Sequence, residues 1–404
     1  MDIVLPSLIH NPTCFSRETL EDRMAKVGVK NIVRMELFLW DLEIFLQLQK
    51  ILGDRLVLKG GAAVQFYLPI SDQRTSVDID MLFWGTWEEI QDALEQVEAK
   101  FPHNNETFHF VQHNPKQPKT KLPLYTYYLQ VPSVCTSKEI REGTEGQQRI
   151  KVEFILAADK IPLSRVHGDQ IFAMESTELY QVLPLNILFA DKLTTLGPKT
   201  IGIQDDRMDE QIKQIYDLYS LFSHHFEELE FNEIRQYYFK RAQAEAQDRK
   251  ISYDHNMIAS DVQQQLNRLR FLDDGSESSK QHWKYILDFI SLYTGRSAIR
   301  TTGDWVVAGE TLRLFSQILL ETQFDQSIMK QALNIDTALQ FNHLSGQEKG
   351  QKIAAFREKF IEKYSHLTEM DAKILKGKKL SRIFWAVVTP DNLDELEDYV
   401  KMNG

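Results

Sequence analysis

Along the first fifty residues, apolar side chains recur at helical spacing. Ser16 to Val27 reads as one helix opened by a serine, and Val33 to Leu52 as a longer amphipathic one. The texture then shortens. Leu56-Val57-Leu58 is a compact apolar run leading into Lys59-Gly60-Gly61, and a short helical pattern follows from Ala62 to Leu68. A polar loop, Ser71 to Thr75, precedes Ser76 to Phe83, where polar and apolar residues alternate as in a strand with one buried face. Trp87 to Lys100 returns to helical spacing. Beyond it the pattern predicts strands at Phe108 to Gln112, Leu124 to Val131, Arg149 to Leu156 and Gln170 to Met174. The Pro- and Lys-rich stretch from Asn114 to Lys121 reads as an exposed loop. From Pro184 onward nearly everything is helical, with helices over Val182 to Leu196 and Met208 to Phe222 and then a series to the C-terminus. Pro184 itself suits a helix's first turn.

No internal repeat or low-complexity tract breaks this order. It predicts an α+β fold: an N-terminal helical arm (1–54), an α/β core around a mixed sheet (55–183) and a mostly helical C-terminal domain (184–404). At 404 residues the chain exceeds a usual single domain, which fits several packed units. A hydrophobic fraction of 43% and a charged fraction of 26% are those of a globular protein. No stretch approaches the roughly 20 apolar residues that span a bilayer, so no membrane partner is expected. Met1 to Pro12 has neither the basic start nor the apolar core of a secretory signal. The two cysteines, Cys14 and Cys135, form neither a disulfide framework nor a zinc spacing, and a cytoplasmic location is expected. A net charge of −11 argues against a broad nucleic-acid-coating surface, so any polyanion contact must be focused on a few Lys and Arg.

The chemistry concentrates in the core. Alternation places Asp78 and Asp80 on one face of a strand, with Ile79 turned to the other. Two adjacent carboxylates repel unless a cation lies between them, and magnesium favours one or two carboxylates plus substrate phosphates. The strand-to-helix turn at Gly60-Gly61 lets backbone N–H groups approach a triphosphate. Activating an acceptor hydroxyl requires a further carboxylate, and Glu153, in the alternating run Ile150-Lys151-Val152-Glu153-Phe154, is the best candidate. Lys151 shares its face.

Leu58-Lys59-Gly60-Gly61-Ala62-Ala63 followed by Arg74-Thr75-Ser76-Val77-Asp78-Ile79-Asp80 resembles the first motif of the AbiEii/AbiGii-type nucleotidyltransferase toxins, in the polymerase-beta-like nucleotidyltransferase superfamily. Ala190-Asp191-Lys192-Leu193 and Ile215-Tyr216-Asp217-Leu218-Tyr219 match two later motifs in the family's order. The resemblance implies transfer of a nucleoside monophosphate from a nucleoside triphosphate (NTP) to a hydroxyl, with Mg2+ held by Asp78, Asp80 and Glu153. It implies NTP contacts from Lys59, Gly60, Gly61, Arg74, Ser76 and Lys192, and an orienting role for Asp217. It further implies the 3′ end of tRNA as acceptor, a cognate antitoxin, and a place in a toxin–antitoxin or phage-defence pair. The chain departs from the pattern in three places. The loop from Gly61 to Asp78 is longer, Gln214 stands where relatives commonly carry an acid, and the third core carboxylate is Glu rather than Asp.

Two other readings stay open at this point: nucleotidylation of a small molecule or protein hydroxyl, and an inactive relative that only binds nucleotide. Gln214 motivates the latter. Arg207 is either a phosphate contact or a partner of Asp205, Asp206 and Asp209. His103, His109 and His113 lack a metal-ligand spacing. Lys373, Lys376, Lys378, Lys379 and Arg382 form a basic stretch that reads as a solvated helix face or a nucleic-acid guide, with Phe384 and Trp385 beside it as core. Lys199, Arg296 and Arg300 are further candidates for RNA contact.

Overall fold

The amino-terminal segments fold as helices because each is capped. Helix α1 (Arg17–Val27) starts at Ser16, whose side chain accepts from the Thr19 amide, and stops at Gly28 in the left-handed conformation. Helix α2 (Ile32–Leu52) is capped by Asn31. Then come β1 (Leu56–Leu58), the short α3 (Gly60–Gln65), β2 (Asp78–Phe83) and α4 (Trp87–Glu98), which opens with a reciprocal Thr86/Glu89 capping box. Strands β3 (Phe110–Gln112), β4 (Leu124–Pro132), β5 (Gln147–Leu156), β6 (Ser164–His167) and β7 (Leu179–Val182) complete the sheet. The computed structural model describes residues 7–101, 107–113, 123–140, 146–160, 162–296, 299–321, 325–368 and 370–404. The expected loop from Asn114 to Lys121 and His103 lie outside these residues.

Among the described residues seven strands form one mixed sheet in the order β3-β4-β5-β2-β1-β7-β6. Strand β2 is antiparallel to β1 and parallel to β5, and β1 is parallel to β7. The β2–β5 register pairs Asp78 with Lys151 and Asp80 with Glu153. Since Cβ atoms alternate across a strand, all four side chains project from one face. Ile79, Met81, Val152 and Phe154 fill the other, fully buried.

That second face is covered by α2, with α4 packed on α2 and reaching β4 through Gln91 and Trp87. Helix α2 is not amphipathic, contrary to its sequence pattern: it is buried on nearly every side. Its polar residues that read as a wet face have distant partners. Glu36 accepts from Ser133 and the Val134 amide, and Glu43 meets His10 at 2.6 Å. Asp41 is buried with neither carboxyl oxygen hydrogen-bonded, and burial pushes its carboxyl well up. The strand expected at Gln170 to Met174 is also corrected. That segment has no strand, and the edge pair is β6–β7, whose last residue, Val182, falls at the start of the helix expected over Val182 to Leu196.

The helical half comprises α5 (Leu185–Leu193), α6 (Met208–His225), α7 (Phe231–Asp248), α8 (His255–Arg270), α9 (Glu277–Tyr293), α10 (Thr302–Leu320), α11 (Gln326–Ala338), α12 (Gly346–Tyr364), α13 (Ala372–Leu375), α14 (Leu380–Val387) and α15 (Leu393–Asn403). Helix α10 is its apolar centre and packs against α6, α8, α11 and α14. Phe384 and Trp385 are buried there as expected. Helices α5 and α6 also pack on α3. The end of α9 docks on the loop before β2, where the Tyr293 carbonyl accepts from the Thr75 amide at 2.9 Å. These contacts bring α5, α6 and Tyr293 over the strand face that carries the two aspartates.

Candidate active site

Asp78 and Asp80 line a cavity of about 140 Å³ together with Lys59, Gly60, Gly61, Arg74 and Ser76 from the sheet unit and Lys192 and Gln214 from α5 and α6. Six of the residues singled out for nucleotide contact therefore converge with Asp78 and Asp80. The close fit explains Gly60. Its φ is +69°, and a Cβ there would lie 2.3 Å from Asp80 Oδ2, so a side chain is barred by conformation and by space. The Lys59 amide donates to the Asp80 carbonyl at 2.8 Å, and the Lys59 ammonium pairs with Asp191 at 3.1 Å.

Asp217 is fully buried behind this cavity. Arg74 grips it with two hydrogen bonds of 2.7 Å, and Lys192 Nζ approaches it at 2.8 Å. Burial alone would raise its carboxyl, but the Arg74 guanidinium and Lys192 ammonium overcome that and hold it below the ordinary range. Asp217 thus fixes two cations at the wall of the cavity, because its charge is where their desolvation is compensated. Lys192 also donates to Gln214 Oε1 at 2.7 Å. Gln214 keeps the hydrogen-bond acceptor an acid would offer, without its charge.

Glu153 stands beside Asp80 in register. Its Oε2 is 2.6 Å from Lys151 Nζ, and its Oε1 accepts from Thr126 Oγ1 at 2.9 Å. Burial, then Glu153 and Asp78, push the Asp80 carboxyl up to about 7, and burial raises Asp78 as well. Carboxylates held above their ordinary range by burial and by neighbouring carboxylates mark a place short of positive charge. Hard oxygen donors of this kind suit magnesium. Among the described residues no group of three His, Cys, Asp or Glu is placed to hold a metal ion. A cation held on these carboxylates would need further ligands, of the kind magnesium takes from substrate phosphates.

Glu210, Lys213 and Tyr293 also line the cavity and were not expected from sequence. Glu210 and Lys213 pair at 2.7 Å, and the Lys213 ammonium lies 4.5 Å from the centre of the Tyr293 ring. Glu210, Lys213, Gln214 and Asp217 are spaced i, i+3, i+4 and i+7, one helical face, and that signal was present in the chain. Tyr293 carried none, since tertiary docking alone brings it in. The basic stretch sits elsewhere. Lys378, Lys379 and Arg382 line a separate cavity of about 850 Å³ at the far end of α6. There Lys378 and Arg382 both pair with Asp273. Lys199, Arg296, Arg300 and Lys376 are exposed. Arg207 is exposed too, and Asp205 pairs with Arg268 instead.

A Gly-Gly turn and an Asp-x-Asp strand facing lysines over a mixed sheet define a nucleotidyltransferase. The family of AbiEii nucleotidyl transferase toxins, type IV toxin–antitoxin systems, matches residues 45–290, more than half of the chain, and the protein belongs to it. Among curated proteins no match was found. Two solved structures are similar at 12% identity and a TM-score of 0.40. JHP933 from Helicobacter pylori covers 77% of this chain and 99% of its own. The MenT4 nucleotidyltransferase toxin of Mycobacterium tuberculosis H37Rv covers 96% of this chain and 98% of its own. No helix among the described residues is long and apolar enough to cross a membrane.

Proposed function

We propose that this nucleotidyltransferase moves a nucleoside monophosphate from a magnesium-bound NTP to a hydroxyl at the 3′ end of tRNA, as the toxin of a toxin–antitoxin or phage-defence pair. The observation that carries the chemistry is the convergence of Asp78 and Asp80 with Lys59, Lys192 and the Gly60-Gly61 turn around one cavity. At about 140 Å³ it is well below the roughly 300 Å³ at which sites begin to enclose a drug-sized ligand. It takes the metal and the polyphosphate, and the nucleoside lies at its mouth. The tRNA acceptor and the antitoxin rest on the family alone.

Magnesium on Asp78 and Asp80 would neutralise charge on the triphosphate and polarise the α-phosphorus. Lys59 and Lys192 meet phosphate oxygens as compact point charges. Arg74 and Asp217 hold Lys192 in place, and Glu153 takes the proton of the attacking hydroxyl. A bond forms from that oxygen to the α-phosphorus, the bond from the α-phosphorus to the bridging oxygen breaks, and pyrophosphate leaves. The residues supply position and charge rather than covalent chemistry. Incubation with each α-labelled NTP, magnesium and total RNA tests the acceptor. A labelled tRNA-sized band that disappears with Asp80→Ala supports the reading; label only in protein or small molecules refutes the tRNA assignment.

A further inference from the structure

Lys151 is a charged side chain of the strand face, beside the two aspartates, that the transfer reaction leaves without a task. It lies directly across from Asp78 in the β2–β5 register, while Glu153 lies across from Asp80. Neighbouring strands are about 4.8 Å apart, so these four groups form one patch of three carboxylates and one ammonium. Two-metal transferase sites place their ions about 3.5–4 Å apart, and they need a third carboxylate with free oxygens. Glu153 already carries the Lys151 ammonium on one oxygen at 2.6 Å and the Thr126 hydroxyl on the other at 2.9 Å, so a second ion there would compete with the ammonium for the same oxygen.

We propose that Lys151 is a built-in cation standing in the place of a second metal. This inference rests on reading Asp78 and Asp80 as the metal pair. A lysine ammonium is a compact charge with three donors, so it relieves part of the carboxylate repulsion that would otherwise recruit an ion. The nucleotide-free enzyme then takes divalent metal on the Asp78–Asp80 pair only. Glu153 is held by Lys151 rather than by metal, which redirects the sequence-based expectation that it is a ligand.

The test is Mn2+ titration of the full chain without nucleotide, counted by the loss of free-ion electron paramagnetic resonance signal. Wild type should bind at most one Mn2+ per chain. Lys151→Met should bind one more, Lys151→Arg should match wild type, and adding Glu153→Gln to Lys151→Met should remove the gained ion. Two Mn2+ per wild-type chain, or an unchanged count in Lys151→Met, overturns the proposal. Should Lys151→Met fail to fold, the wild-type count decides. No nucleotide is present, so a failure of the transfer reaction leaves this result intact.

Discussion

Replacing Asp217 by Asn tests the hinge of the site. The side chain is fully buried and receives two hydrogen bonds of 2.7 Å from Arg74, with Lys192 at 2.8 Å. Asn preserves shape but removes the charge and one acceptor, which leaves two buried cations uncompensated. Breaking one partner out of a buried pair costs about 3–5 kcal/mol, a large share of the roughly 5–15 kcal/mol that stabilises a typical protein. Lys192→Met removes only one charged hydrogen-bonding partner and leaves Asp217 on Arg74, so about 1.5–3 kcal/mol is expected. In the double variant one orphan cation is gone. Its cost should fall short of the sum by at least about 1 kcal/mol. Urea unfolding midpoints of the four proteins close the cycle. The carboxyl is held low, so its contribution is present above about pH 4 and is lost as pH falls through its folded value. A cost under about 1 kcal/mol for Asp217→Asn, or strict additivity in the cycle, would refute this reasoning.

Gly60→Ala forces a positive φ on a residue with a side chain and drives its Cβ into Asp80. Strain of about 1–3 kcal/mol and a displaced carboxylate should lower transfer about 100-fold; wild-type turnover would contradict the geometry. The Asp80 carboxyl is raised to about 7, so protonation favours the metal-free fold at low pH and that benefit fades as pH rises through 7. Magnesium should therefore raise the melting temperature more at pH 8 than at pH 6, and an equal or reversed shift would separate Asp80 from the cation. Gln214→Ala should weaken NTP binding in calorimetry by releasing Lys192, whereas Gln214→Asp should restore it. Equal affinities in all three proteins would remove Gln214 from the site.

Much of the site was legible because its chemistry is local. Gly60-Gly61, the strand alternation of Asp78 and Asp80, and Lys192 on a short helix are each readable within a few residues, and the structure brings them to one cavity. Glu153 was placed by alternation, but its engagement with Thr126 depends on the β4–β5 register, which no local pattern encodes. Helix α2 misled for a similar reason. Glu36 and Glu43 look like a solvent face until Ser133 and His10 arrive from far along the chain. Strand β7 runs straight into Pro184 and α5, so one continuous apolar stretch hides the change of period. The basic stretch lies away from the Asp78–Asp80 cavity, and Asp273 pairs with two of its members, contacts that no local pattern encodes.

The central claim is that the reaction transfers a nucleotidyl group at the Asp78–Asp80 face. Parallel reactions with α-labelled and γ-labelled NTP, total RNA and magnesium, using wild type and Asp80→Asn, test it most directly. The account predicts label in RNA from the α position only, and none with Asp80→Asn or after magnesium is chelated. Label from the γ position, or undiminished transfer by Asp80→Asn, would contradict it.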